Sequence, residues 1–205
     1  MNTQFRQLIL GTGNPGKLRE LAELLKPAGI PYLTPTQASL SLSVAETGQD
    51  YETNASKKAL AYAQASGQWA LADDSGLEVK ALDGGPGLHS ARLAGPNASD
   101  ADRRARLLQL LENSPPPWPA LFRCTMVLAT PGGVKHVTVG ICRGEIIDEE
   151  RGEGGFGYDP IFLVTAAGRT MAELGVDQKN QISHRAQALH AMVPKLIELK
   201  EKGVD

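Results

Sequence analysis

The sequence predicts an α/β fold, a mixed twisted sheet with flanking helices, arranged as two lobes around a central cleft within one domain spanning residues 1–205. Three observations predict it. Short apolar runs alternate with stretches of helical periodicity along the whole chain. Two apolar runs bracket Pro131-Gly-Gly133, the signature of an antiparallel hairpin. No internal repeat or low-complexity tract interrupts this alternation, so no independent second domain is expected.

Taken in order, Leu8-Ile-Leu10 reads as a strand ending in Gly11-Thr-Gly-Asn-Pro-Gly16. Pro15 suits a first helical turn, where its missing N–H costs nothing, and Leu18, Leu21, Ala22, Leu24 and Leu25 recur at helical spacing up to Gly29. Residues 31–50 read as a short strand and an irregular loop. A second helix is expected from Glu52 to Ala65, stopped at Gly67. Ala70-Leu-Ala72 is expected to be a strand delivering Asp73, Asp74 and Ser75 to its C-terminal end, with Leu77 to Leu82 a separate strand. A helix capped by Ser99 runs to Glu112, and Ser114 to Pro119 is a connector. The strands Phe122–Ala129 and Val134–Ile141 form the hairpin. Glu153 to Asp159 is a glycine-rich loop, and a final helix covers Ile182 to Lys200.

Hydrophobic residues make up 41% and charged residues 21%, so a core can form without disulfides or a structural metal. The net charge of −2 provides no global basic field, so a polyanion must be met in a local pocket. That favours a small phosphorylated ligand and argues against nucleic acid. Cys124 and Cys142 lack metal-site spacing and read as buried thiols. Met1 to Gln7 carries no apolar signal segment, and no run approaches a membrane span. A reducing cytoplasm and no membrane partner are the expectation.

Gly11-Thr-Gly-Asn-Pro-Gly-Lys17 partly matches two phosphate-binding patterns and satisfies neither. The dinucleotide fingerprint wants an acidic residue about twenty positions on, and Gly29 to Val44 contains none. The P-loop wants Ser or Thr after its lysine, and Leu18 stands there. What survives is the physics both share: a strand turning into a helix whose free N–H groups and positive dipole end attract an anion. Lys17 adds charge, and Thr12 and Asn14 add polar reach.

Asp73-Asp74-Ser75-Gly76 supplies carboxylates, with Glu46 and Glu52 available nearby in sequence. Mg²⁺ is well served by one or two carboxylates plus phosphate oxygens and waters. Neighbouring strand residues point to opposite faces, so the two aspartates cannot share one task unless the strand has ended. A third constellation, Gly154-Gly-Phe-Gly-Tyr-Asp-Pro160, sets two aromatics and a carboxylate among glycines, where a purine could stack. Lys179 and Ser183-His184-Arg185 add cationic donors.

With these pieces in place, the sequence closely resembles the inosine/xanthosine triphosphate pyrophosphatase family from Leu8 to about Leu196. The resemblance rests on Thr12-Gly-Asn-x-x-Lys17, Glu46-Thr-Gly, Asn54-Ala with Lys57 and Ala59, Ala72-Asp-Asp-Ser-Gly-Leu77, Ser90-Ala-Arg92, Gly155-Phe-Gly-Tyr-Asp-Pro160, Ala172-Glu-Leu174 and Ile182-Ser-His-Arg185 in this order. It implies that Thr12, Gly13, Asn14, Pro15, Gly16 and Lys17 bind the triphosphate, with Lys57 as a further contact. It implies that Asp74, Glu46 and Asp73 hold Mg²⁺, that Asp74 is also the general base, and that Ser75 touches substrate. Phe156, Gly157, Tyr158, Asp159, Lys179, His184 and Arg185 would surround base and sugar. The implied reaction cleaves between the α and β phosphates of non-standard purine nucleotides (ITP, dITP, XTP) in a typically homodimeric enzyme. Asp50-Tyr51, Thr53 and Leu93 depart from the family's usual residues, and Thr53 leaves the second metal ligand open.

Three other readings compete. A pyrophosphatase for other modified nucleotides would not need the oxopurine-reading segment. A nucleotide-sensing module would not need the Asp73-Asp74 pair. An RNA-binding protein is suggested only by Arg103-Arg104-x-Arg106 and Lys57-Lys58, charges that read as a solvated face.

Overall fold

The structure, a computed structural model, describes residues 7–202, so most of the polar N-terminal stretch read above, residues 1–6, lies outside the described residues. Seven strands form one sheet in the order β2-β1-β3-β4-β5-β6-β7. These are β1 (Leu8–Leu10), β2 (Tyr32–Leu33), β3 (Trp69–Val79), β4 (Trp118–Thr130), β5 (Gly133–Ile146), β6 (Phe162–Val164) and β7 (Arg169–Thr170). The helices are α1 (Pro15–Leu25), α2 (Tyr51–Ser66), α3 (Asp100–Leu111), α4 (Val176–Ile182) and α5 (His184–Lys202). The sheet is mixed, as expected. β1 pairs in parallel with β2 and β3, whereas β6 pairs antiparallel with β5 and β7. β4 and β5 are joined by two residues, which only an antiparallel pair permits.

The chain divides into two compact units: Met1–Asp74 with Cys124–Gly140 and Arg185–Asp205, and Ser75–Arg123 with Ile141–His184. In the first unit, the two-residue period of the strands sorts the core onto two faces. Leu8, Leu10, Trp69, Leu71, Cys124, Met126 and Leu128 pack with Leu21, Leu24 and Leu25 of α1 and Leu189, Met192 and Leu196 of α5. Their strand neighbours Ile9, Ala70, Ala72, Val127 and Ala129 pack with Ala55, Ala59, Tyr62 and Ala63 of α2. β1 is buried on both faces, which is why it reads as an unbroken apolar run. The second unit has its own core of Leu77, Val79, Leu107, Leu111, Phe122, Tyr158, Ile161 and Phe162, among others.

Three expectations need correction. Asp73-Asp74-Ser75-Gly76 does not end a strand: residues 69–79 form one continuous strand, and the separate strand expected at Leu77 to Leu82 is its second half followed by a turn of 3-10 helix. The polar residues are held in the strand by buried charged and amide partners, which override their turn preference. The connector also stops short of Pro119, because β4 already begins at Trp118. The final helix does not start at Ile182. Ser183, with extended backbone, closes α4, and α5 begins at His184. The α3 start is as read, with Ser99 and Asp102 forming a reciprocal capping box. Gly67 closes α2 in the left-handed conformation, with φ of 65°.

The alternation predicts that truncation in a strand, β3 or β5 alike, is costly only where the side chain is buried. Leu71→Ala, at a fully buried position, is expected to lower stability by about 2–5 kcal/mol in urea unfolding. Val139→Ala, where half the residue is exposed, should change it by under about 0.5 kcal/mol.

Candidate active site

In the first unit, β1 runs into α1 through a turn that needs its first glycine. A Cβ on Gly11 would lie 3.0 Å from the Tyr62 ring and 3.1 Å from the Ala72 Cβ. Asn14 caps the helix: its Oδ1 accepts from the N–H of Gly16 at 2.8 Å and of Lys17 at 3.1 Å. The N–H of Asn14 in turn donates to Thr12 Oγ1 at 3.2 Å. This corrects the expectation of free first-turn N–H groups, because the cap side chain occupies two of them and Pro15 has none. Gly13, Asn14 and Pro15 are exposed, and Gly16 is buried. The Lys17 ammonium turns toward the sheet and lies 2.9 Å from Asp73 Oδ2.

The sheet period then separates the two aspartates. Asp73 falls on the face with Trp69 and Leu71, toward α1 and α5, and Asp74 on the face with Ala70 and Ala72, toward α2. Their partners follow. Asp73, 1% exposed, meets Lys17, the Arg185 guanidinium at 3.4 Å and the Cys124 thiol at 3.7 Å. Arg185, fully buried, is also bonded to Glu20. Burial opposes ionisation of Asp73, but Lys17, Arg185 and Lys58 together outweigh it and hold the carboxyl far below the usual range. Its Oδ1 is buried and has no hydrogen-bond partner among the described residues.

Asp74 has the opposite environment. Asn54 Nδ2 donates to its Oδ2 at 3.0 Å, and Lys58 Nζ lies 3.8 Å from its Oδ1. Burial dominates and raises the carboxyl above its ordinary value, against the pull of Lys58 and Asn54. Lys58 also pairs with Glu46 at 2.5 Å, so one ammonium gathers two carboxylates. Burial works against the charge of Lys58, yet Asp73, Asp74 and Glu46 raise its pKa overall. Asn54 Oδ1 accepts from Gly48 N–H at 2.7 Å, which ties the loop carrying Glu46 to α2. Asp50 caps α2, accepting from the Thr53 N–H at 2.7 Å and its hydroxyl at 3.0 Å, so two of the departures from the family pattern, Asp50 and Thr53, serve the helix start.

Lys57, the lysine expected at the phosphates, is exposed and donates to Thr47 Oγ1 at 2.9 Å. The lysine facing the carboxylates is Lys58. Asn54 and Lys58 lie four residues apart on α2 and so share a face, a signal available in the sequence but not used. Among the described residues no three His, Cys, Asp or Glu side chains gather as a ready metal cage. Glu46 and Asp74, both gathered by Lys58, nonetheless suit a hard cation that draws its remaining oxygens from phosphate and water, whereas Asp73, expected beside them, faces the other side of β3 and is engaged by Lys17 and Arg185. Ser75, next along β3, is half-buried.

In the second unit, Gly155 and Gly157 have φ of 74° and 64°, and the chain between them turns tightly. A Cβ on Gly155 would collide with the Asp159 carboxylate. Asp159 Oδ2 accepts from the Phe156 N–H at 2.9 Å and from Lys179 Nζ at 2.6 Å, and both members of that ion pair are buried. Lys179 Nζ stands 5.5 Å from the centroid of the Phe156 ring. Of the two aromatics expected to stack on a base, only Phe156 is half-exposed. Tyr158 is 4% exposed within the core, and its hydroxyl donates to the Ser90 carbonyl at 2.8 Å. His184 is buried too, its ring stacked on Phe122 with centroids 4.8 Å apart. His184 and Arg185, read together from the sequence, thus have different partners.

The Asp73 geometry generates a pH-dependent prediction. Its folded pKa is depressed, so its stabilising contribution is present above the unfolded value near 4 and is lost as pH falls below that value. Asp73→Asn leaves Lys17 and Arg185 poorly compensated and is expected to cost about 3–5 kcal/mol at pH 7. In urea unfolding across pH 7 to 3, the gap to the parent protein should narrow only below about pH 4.

Comparisons with known proteins identify the family. Residues 8–195 match the Ham1 family. The chain is 50% identical over 184 residues to the dITP/XTP pyrophosphatase of Desulforamulus reducens, covering 89% of this chain and 92% of that protein. It is 49% identical to the dITP/XTP pyrophosphatase of Geobacter sulfurreducens, over 89% and 92% of the two chains. Among solved structures, a HAM1 protein from Coxiella burnetii superposes with a TM-score of 0.84 at 41% identity, over 94% of this chain and 98% of that one. The Ham1 protein of Staphylococcus aureus gives 0.82 at 38% identity, over 94% and 99%. With matches of this depth along nearly its whole length, the chain belongs to the Ham1 family.

Proposed function

We propose that this protein hydrolyses non-standard purine nucleoside triphosphates, dITP, ITP and XTP, to the monophosphate and pyrophosphate. The observation that carries the reading is the parting of two adjacent carboxyls, Asp73 bound by Lys17 and Arg185 and Asp74 held by Asn54 beside Lys58 and Glu46. Environments that push a carboxyl pair apart mark a division of labour, one group fixed and one able to exchange a proton. The relatives named above as dITP/XTP pyrophosphatases support the same substrate class.

In this mechanism Asp74 orients a water and accepts its proton. The water oxygen bonds to the α phosphorus, and the bond from that phosphorus to the α–β bridging oxygen breaks. Asn54 fixes the Asp74 carboxylate for that task. Lys17 and Lys58 withdraw charge from the phosphates, and Thr12, Gly13, Asn14, Pro15 and Gly16 shape the turn that receives them. Glu46 and Asp74 would hold Mg²⁺, which when bound supplies charge neutralisation at the phosphates, while Asp73, on the opposite face of β3, anchors Lys17 and Arg185. Ser75 contacts the substrate beside Asp74. The base stacks on Phe156 within the tight turn at Gly157. Lys179, oriented by Asp159, and His184 offer donors to a 6-oxo group, while adenine would leave such donors unpaired. Arg185 acts on this site through Asp73. The reading includes a homodimer and a cytoplasmic setting. Two buried cysteines without a disulfide fit a reducing setting, and among the described residues no helix is long and apolar enough to cross a membrane.

Turnover of dITP and XTP beside dATP and dGTP, with and without Mg²⁺, tests the reading by chromatography of products. The expected result is metal-dependent release of pyrophosphate from dITP and XTP, with kcat reduced by about 10²–10⁴ in Asp74→Asn. Orthophosphate as the first product would place cleavage at the γ position and overturn it. The lysines give a second prediction. Lys58→Ala should lower kcat/KM by about 10² or more, whereas Lys57→Ala should stay within about threefold, each measured with dITP.

A further inference from the structure

The sequence contains an arginine cluster, Arg103-Arg104-x-Arg106, that the reaction does not use and that reads as a solvated helix face. Only Arg106 is exposed: Arg103 is held by Asp100 and the Ala98 carbonyl, and Arg104 reaches further. The Arg104 side chain is 13% exposed and forms a two-bond fork with Glu150, at 2.8 and 2.9 Å. Its remaining donor, Nη1, reaches the Gly157 carbonyl at 2.9 Å. From the same end of α3, Asp100 Oδ2 accepts the Gly157 N–H at 2.7 Å, while its other oxygen is bonded to Arg103. The helix thus grips both polar backbone atoms of one residue.

That residue has φ of 64°, and nothing stands within 4 Å of where its Cβ would be. No side chain could clamp it from that side, and both of its polar backbone atoms are held by hydrogen bonds. The flanking residues are fixed as well, Phe156 N–H by Asp159 and the Tyr158 hydroxyl by Ser90. The Ser99–Asp102 capping box anchors the helix end from which the grip is made.

We propose that Asp100 and Arg104, with Glu150 holding Arg104, are positioning residues that preorganise the Phe156–Tyr158 segment for the purine base. The inference rests on the base-binding reading of Phe156 given above. The clamp contributes to binding and base selectivity rather than to the chemical step, because it acts on the segment under the base and not on the carboxylates.

The test uses the full-length protein with Asp100→Ala, Arg104→Ala and Glu150→Gln, and Asp100→Asn as the conservative variant whose amide oxygen can still accept the Gly157 N–H. KM and kcat are measured for dITP and dGTP, inhibition by inorganic tripolyphosphate as a probe without a base, and amide hydrogen exchange of the peptide spanning residues 154–159. The alanine variants are expected to raise KM for dITP about tenfold, with kcat within about twofold. They should narrow the preference for dITP over dGTP, speed exchange in that peptide and leave tripolyphosphate inhibition unchanged. Asp100→Asn should restore KM, and Glu150→Gln should give a smaller rise. An unchanged KM with parent turnover intact would overturn the clamp alone, as would a parallel weakening of tripolyphosphate, which would mark general damage. If an alanine variant fails to fold, the Glu150→Gln comparison decides in the same way. No turnover of dITP or XTP by the parent protein would remove the base-binding reading and this inference together.

Discussion

Successive residues of a strand face opposite sides of a sheet, and in β3 that period gives two adjacent aspartates to two different helical layers. Trp69, Leu71 and Asp73 form one series against α1 and α5, and Ala70, Ala72 and Asp74 the other against α2. A one-residue slip would exchange the two carboxyls and put the catalytic candidate among Lys17 and Arg185. The register of Leu8 with Trp69 and Leu10 with Leu71 therefore positions the chemistry as directly as any side-chain contact.

The same separation explains how one segment can hold both a fixed and a titratable carboxyl. Asp73 is surrounded by cations, and an ion pair this deep is favourable only because several hydrogen bonds satisfy it at once. At Asp74 the Lys58 ammonium is more distant, at 3.8 Å, and Asn54 is an uncharged amide, so burial prevails there. The Asn54 side chain links this balance to the loop at Gly48, where a Cβ would lie 2.7 Å from its Oδ1. Local sequence around Glu46 is thereby constrained by an atom of α2, not by its own backbone preference.

Much of the fold was legible because it rests on periodicity and capping. β1, α1, α2, α3 and the β4–β5 hairpin lie within a few residues of where apolar spacing, Ser99, Pro15 and Gly67 place them. The errors came where tertiary partners override local preference. Asp73-Asp74-Ser75-Gly76 has turn chemistry but forms mid-strand, because its charges find buried partners that a turn would leave in water. Ser183 looked like part of a helix start because nothing in the sequence shows α4 ending just before it. β6 and β7, of three and two residues, are too short to carry a periodic signal at all.

The site was legible as a set of motifs and not as a geometry, and the failures share a cause. Each concerns residues one or two apart in sequence whose side chains diverge: Lys57, read without Lys58, and His184 with Arg185 and Phe156 with Tyr158, each read together. A helix turns about 100° per residue, so Lys57 meets Thr47 while Lys58 meets Glu46 and Asp74. At the start of α5 the same rotation leaves His184 on Phe122 and Arg185 on Asp73 and Glu20. In the glycine turn, Phe156 keeps a half-exposed ring while Tyr158 is drawn into the core by Ser90. The arginines of α3 fit the pattern from the other direction: Arg104 grips Gly157, Arg106 bonds Gln109 at 2.6 Å, and a shared charge said nothing about which would do either. Composition names the chemistry that a segment can perform. The phase of the helix or strand carrying it decides which residue performs it, and that phase is readable from sequence only where apolar neighbours fix it, as Ala55 and Ala59 do for Lys58.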